Sequence, residues 1–466
     1  MTSVTHYMPD TAMASRGIEA VAPNASDTSR YQPASQAYKL GLSLMYIPFG
    51  FDFKDHGFID NPEIIRTFIV TLAFMGFFLA ISMRDGIHPS AYKSSSARLY
   101  FNLWCFFSVY IITITALRSD ISFDVIRYAA PFVFMVMSMF ILLRHIEANY
   151  DPNIYWNNII IAGVISMIWT FYFGRFTSTH FDEDEFAFID DIRYTILSST
   201  LLPLCGIGLY KLARGINVFR YSVLFSFIFF LFVISKTRGV LLGVISALIY
   251  VILISDKRGK AFLRLLGFIL LAVFAAIIIP ASTRNLDILQ IWEGRLYSDD
   301  GNLNYLTYYT RLAEYLGQLR LLLSDAQSAV FGYGYMTNTY WDPYIFDMLF
   351  EPGANINYFS FYGTGVHSAW INALFQAGFI AGWIPTFTFL YVIWIGMRII
   401  ALPSTQRKNY DEWGLITICI TMALFLPVTF ASFFTDRIGP IIIGPTLLYA
   451  IFTWEKFKKN QQENVF

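Results

Sequence analysis

Polar and apolar residues fall in long blocks along this chain, not in an alternating or helical rhythm. Apolar runs lie near 38–53, 64–83, 99–117, 125–143, 157–174, 194–211, 219–235, 239–255, 262–281, 368–397, 413–431 and 438–454. Most have the length that crosses a bilayer as a helix. The first is short and carries Lys39, Pro48 and Gly50. The tenth is too long for one straight span, and Gly378, Gly382 and Pro385 predict a kink within it. The opening 1–37 segment is polar and rich in Ser, Ala, Pro and Asn, without the basic start and apolar core of a signal peptide. It reads as a disordered cytoplasmic tail. The expected organisation is nine transmembrane helices over 38–281, a long loop over 282–367, three more helices over 368–454 and a C-tail over 455–466.

Composition supports this class. Of 466 residues, 56% are hydrophobic and only 14% charged, against about 25% charged in a soluble domain. A water-soluble enzyme, a disordered chain and a nucleic-acid-binding module are excluded. Net charge is +0, so the placement of charges carries the information. With the N-terminus inside, 17 Lys and Arg fall in the short inner loops and C-tail and 6 in the short outer loops. That asymmetry supports twelve spans with both termini cytoplasmic. Cys105, Cys205 and Cys419 each sit in an apolar run, far apart in sequence, which indicates neither disulfides nor a zinc site.

The 282–367 loop falls on the outer face, and loops of this length are usually functional. Within it, Leu312, Tyr315, Leu316, Leu319, Leu322 and Leu323 recur at helical spacing, while Arg311, Glu314 and Gln318 share the opposite face. The expectation is a helix lying on the membrane surface, apolar side down, with Arg311 looking outward. An exposed Arg311–Glu314 ion pair is the simplest role for those charges.

Three short motifs stand out. Phe331-Gly332-Tyr333-Gly334-Tyr335 allows close backbone approach or a positive-φ turn; it lacks the features of a nucleotide-binding loop. His367 immediately precedes Ser368-Ala369-Trp370, where the tenth span begins. It is either a capping histidine or, kept neutral by a helix N-terminus, a proton acceptor for a hydroxyl. Ser235-Lys236-Thr237-Arg238-Gly239 places two cations in a short outward turn. They reach either headgroup phosphates or a lipid-linked diphosphate, which the planar arginine fork suits. No carboxylate lies well inside an assigned span, which counts against a proton- or sodium-coupled transporter. The acidic Asp182-Glu183-Asp184-Glu185 run reads as a solvated loop, not a metal site.

Taken in order, these motifs, followed by His-Ser-Ala-Trp-Ile-Asn-Ala-Leu-Phe-Gln-Ala-Gly-Phe-Ile-Ala-Gly from His367, resemble the O-antigen ligase and polymerase superfamily of bacterial envelope glycosyltransferases. The likeness covers residues 230–385 in motif and the whole chain in topology. It implies an all-α polytopic, GT-C-like membrane protein of about twelve transmembrane helices with one long periplasmic loop, in the bacterial inner membrane. It further implies a donor glycan on undecaprenyl diphosphate, a glycan acceptor and no cofactor or metal. Arg238 matches the family's span-mouth arginine and Arg311 its loop arginine, both for the donor pyrophosphate, with Lys236 beside them. His367 matches the proposed base. Ser368 stands where Asn is common, and Gln376 where an acidic residue is common, which bears on how the histidine is oriented.

Tyr333, Tyr335 and Trp370 are candidate faces for sugar rings, against their default role as membrane-interface aromatics. The expected activity is polymerisation of lipid-linked repeat units. A chain-length regulator is a possible partner, alongside membrane lipids and no nucleic acid. The rivals are ligation of the glycan to lipid A-core and, from another class, a lipid-linked oligosaccharide flippase.

Overall fold

The computed structural model describes residues 31–51, 62–82, 94–119, 123–176, 198–234, 238–284, 306–335, 337–339, 361–362, 368–429 and 438–463. Each expected apolar run carries a helix. In chain order these are α1 (Gln36–Tyr46) with a 3-10 turn (Ile47–Phe51), α2 (Pro62–Ser82), α3 (Ser95–Arg118), α4 (Phe123–Glu147), α5 (Pro152–Phe176), α6 (Ser198–Arg214), α7 (Val218–Ile234), α8 (Arg238–Ile254) and α9 (Arg258–Arg284). The loop adds α10 (Leu306–Leu323), α11 (Ala326–Phe331) and a two-residue ladder of β1 (Asn338–Thr339) with β2 (Phe361–Tyr362). The chain closes with α12 (Ala369–Ala381), α13 (Ile384–Ala401), α14 (Ser404–Arg407), α15 (Glu412–Thr429) and α16 (Ile438–Glu463).

A helix satisfies its own backbone polar groups, which is what an apolar solvent demands. Among the described residues, Ser95–Arg118, Ala129–Glu147, Ile384–Ala401 and Glu412–Thr429 are long and apolar enough to cross a membrane. Large apolar side chains such as Phe68, Leu117, Phe219, Leu270, Phe274 and Phe387 point outward. In water such a surface promotes association; against lipid it is the expected exterior. The chain is an all-α membrane protein.

α15 lies at the centre, with α6, α8, α13 and α16 packed on it. Small residues allow the close approach, as in other membrane helix pairs. A Cβ on Gly243 of α8 would lie 2.2 Å from the Ala423 carbonyl oxygen. Some polar groups inside the bundle pair across helices: the Tyr46 hydroxyl lies 2.6 Å from Ser138 Oγ, which donates to the Ile441 carbonyl.

The first and tenth runs take particular forms, the tenth as expected. The run at 38–53 is an 11-residue helix plus a 3-10 turn. It follows only the second half of α4, from Tyr38 at His145 to Phe49 at Phe134. The tenth run does break: Gly378 leaves helical geometry and Pro385 opens α13. At the flanks, Gln32 bridges to Tyr150, and α16 continues through the expected C-tail to Glu463.

The helix directions define two ends. At one, α3 begins against the end of α16: Ser94, Ser95 and Ser96 all donate to the Glu455 carboxylate. Lys211 pairs with Glu412 there at 2.7 Å, and Arg98 with Glu147. At the other end α3 and α15 finish, and the loop docks. Among the described residues, lysine and arginine concentrate at the first, basic end.

Candidate functional site

The docked loop is organised by backbone chemistry. α11 ends at Gly332 (φ 82°), whose amide donates to the Ser328 carbonyl at 2.8 Å. The next amides, Tyr333 and Gly334, donate to the Phe375 and Gln376 carbonyls, each at 2.9 Å. Those carbonyls lie just before the break at Gly378 (φ 59°), where the α12 ladder is interrupted. Both halves of the close-approach reading of the Phe-Gly-Tyr-Gly-Tyr motif therefore hold: its glycines have positive φ, and they abut another backbone.

The motif's aromatics serve as anchors. Tyr333 stacks on Phe375 with centroids 4.9 Å apart, carries the Arg118 guanidinium over its ring at 5.0 Å and donates to the Leu321 carbonyl. Tyr335 is fully buried, with its amide donating to Thr115 Oγ1 at 3.0 Å and its hydroxyl to the Val125 carbonyl. Trp370 donates to Thr429 Oγ1 at 2.9 Å and packs edge-on against Phe389. The sugar-face expectation for Tyr335 is corrected, because a ring with no accessible surface offers no platform. Tyr333 and Trp370 also use their rings and donors in the fold, but both are only half-buried.

The polar face of α10 does not look outward as expected: Glu314 and Gln318 are buried and Arg311 half-buried, while on the apolar face Leu316 and Leu323 are exposed and Leu322 is buried. The polar stripe is turned into the protein, on a helix packed against α12. The physical reason is the medium: leucines lose nothing by facing lipid, whereas amide and carboxylate groups need polar company. Arg311 Nη1 lies 3.3 Å from Glu314, so the ion pair is present but is partly covered, not open to water. Burial raises the Glu314 carboxyl to about 7, against the opposing pull of Arg311.

α12 presents a matching stripe. Ser368, Asn372 and Gln376 recur every four residues and are all buried. Gln376 Nε2 donates to Asn372 Oδ1 at 3.1 Å. Asn372 Nδ2 and both amide atoms of Gln318 are buried without hydrogen-bond partners. Leaving such a group unpaired costs about 1–3 kcal/mol. Amides in this state recognise hydroxyls and carbonyls well, because they bring both a donor and an acceptor.

His367 and Lys236 lie outside the described residues, as does the Asp182–Glu185 run, and so does the side chain of Arg238. Their chain neighbours are described. Arg238 opens α8, and Ser368 is the N-cap residue of α12. Both helix starts lie at the end of the bundle where α10 docks, the α12 start fixed by Trp370 on Thr429 at the close of α15. Sequence reasoning missed Arg118, which donates to Ser328 Oγ at 3.2 Å and caps the Tyr333 ring. Its position at the outer end of a span was the available signal. The amides of Gln318 and Asn372 were missed because an amphipathic pattern does not say which medium each face meets.

No protein-family model matches the chain, and no curated protein matches it.

Proposed function

We propose that this chain is a glycosyltransferase of the O-antigen ligase and polymerase type, joining undecaprenyl-diphosphate-linked repeat units into a polysaccharide. In this reading twelve segments cross the bacterial inner membrane, both termini are cytoplasmic, and the loop end faces the periplasm. The gathering of cations at the opposite end supports that orientation. The observation that carries the reading is the inward polar face of α10. Buried Glu314 and Gln318, with half-buried Arg311, line a seam beside α12, at the end of the bundle where the segments bearing Arg238 and His367 begin.

The chemistry follows from charge development. An acceptor hydroxyl attacks the anomeric carbon of the donor, a new C–O bond forms, and the bond to the lipid diphosphate breaks. The electron pair leaves with the diphosphate, where Arg238 and Arg311 stabilise the added negative charge. His367 takes the hydroxyl proton. An interaction that strengthens as charge develops lowers the barrier, and one such contact is typically worth about 3–4 kcal/mol. A positioned base adds roughly 10²–10⁴-fold. The unpaired amides of Gln318 and Asn372 suit a hydroxyl-rich substrate.

The test is deletion of the gene followed by complementation with wild type, His367→Ala or Arg311→Ala, reading lipid-linked and released glycan by length. The reading expects long chains with wild type only, at equal membrane abundance of all three proteins. Long chains from both variants would overturn the mechanism. Long chains that persist on the carrier in the deletion strain would point to ligation instead.

A further inference from the structure

The basic end of the bundle holds a feature the transfer chemistry does not use. A cavity of about 290 Å³ opens between the end of α6, the α8–α9 connection and the first turns of α9. Arg214, Lys257, Lys260 and Arg264 line it, with Ser255 and a single carboxylate, Asp256. A smaller recess shares Arg214 and Asp256 and adds Arg407 and Lys408.

Cations are common at one face of any membrane protein, but that rule places them anywhere in a loop. Here they converge from separate segments on one concavity, and two guanidiniums are fixed, Arg264 in the cavity and Arg407 in the adjoining recess. Arg264 Nη1 donates to the Ala213 carbonyl at 3.2 Å, and Arg407 Nη1 to the Leu253 carbonyl at 3.0 Å. Arg407 Nε is buried without a hydrogen-bond partner. Four like charges around one hollow, offset by one carboxylate, repel each other. An anion that bridges them removes that cost, and forked guanidiniums match phosphate oxygens in particular. The volume lies at the lower edge of small-molecule sites, roughly 300–1,000 Å³, which fits a phosphate or diphosphate group.

We propose that this cavity binds a phosphate-bearing ligand, seated between Arg214, Lys257, Lys260 and Arg264 at the end of the bundle opposite the α10–α12 seam. The site is independent of the glycosyltransferase reading. Its ligand is either the phosphate of an anionic lipid headgroup or a soluble phosphate anion.

The full-length protein is reconstituted in nanodiscs of neutral phosphatidylcholine, with or without phosphatidylglycerol, and the thermal midpoint is followed. Inorganic pyrophosphate is titrated into the neutral discs as a second arm. The expected result is a rise in midpoint with at least one probe. A rise with phosphatidylglycerol alone assigns the site to a lipid headgroup, and a rise with pyrophosphate alone to a soluble anion. Lys260→Gln, and separately Lys257→Gln with Lys260→Gln, should weaken the effective probe about tenfold, the scale of one lost contact of about 1.4 kcal/mol. Lys458→Gln with Lys459→Gln, the same charge change elsewhere on that end, should leave it unaltered. No shift with either probe, or equal weakening by the control pair, would overturn the proposal.

Discussion

Gly332 and Gly378 meet backbone to backbone. A Cβ on Gly378 would stand 2.5 Å from the Gly332 amide nitrogen and 2.3 Å from the Val330 carbonyl oxygen. Gly378 also holds φ at 59° and ψ at −166°, a region that side-chain-bearing residues enter only at a cost of about 1–3 kcal/mol. Gly378→Ala is therefore expected to lower the thermal midpoint in detergent and to speed proteolysis between residues 326 and 335. An unchanged midpoint with unchanged cleavage would show that this junction contributes nothing.

Glu314 links stability to pH. Its folded-state carboxyl is raised from 4.5 to about 7 by burial. A raised acid binds its proton more tightly in the folded protein, so its stabilising contribution is complete below about 4.5 and is lost as pH rises through about 7. The full swing is a few kcal/mol, at about 1.4 kcal/mol per unit. Glu314→Gln should flatten the decline in midpoint between pH 5 and 8 and leave the variant more stable than wild type at the upper limit. Parallel curves for the two proteins would refute this.

Tyr335 separates packing from recognition. Tyr335→Phe removes one hydroxyl bond to Val125 and should cost about 1 kcal/mol, with glycan length unaltered. Tyr335→Ala empties a core position and should cost about 3–5 kcal/mol. If the Phe variant kept its midpoint but lost long glycan, the hydroxyl would have to act on substrate.

Glu455 caps a helix from 360 positions away. Its two oxygens accept from the Ser95 and Ser96 amides and from the Ser94 and Ser95 hydroxyls. A carboxylate is favoured there by the free N–H groups and partial positive charge of a helix start. Glu455→Gln weakens charge-assisted bonds worth about 1.5–3 kcal/mol. Lower thermal stability and faster amide exchange at residues 95 and 96 are expected. Equal exchange would mean that water serves those amides as well.

Much of this architecture was readable from residue pattern. Every apolar run became a helix, because a segment that length in lipid has few other ways to satisfy its backbone. Gly378 and Pro385 marked the break, and Gly332 and Gly334 marked a close approach, since each reports a local backbone requirement. What the pattern did not reveal depends on neighbours. The pattern showed an apolar and a polar face on α10 but not that protein would cover the polar one, burying Glu314 and Gln318. The ring of Tyr335 looked like any interfacial aromatic until Thr115 and Val125 came to it from α3 and α4. The cap on α3 was invisible because Ser94 and Glu455 share no local signal.

That last contact bears on how the protein is made. The first turn of α3 leaves the ribosome 360 residues before the carboxylate that completes it. Until then the amides of Ser95 and Ser96 must be served by solvent, so the turn is held at the water boundary. α3 and α16 can lock only once both have been made, and removal of the Glu455 carboxylate would leave the start of α3 without that fastening.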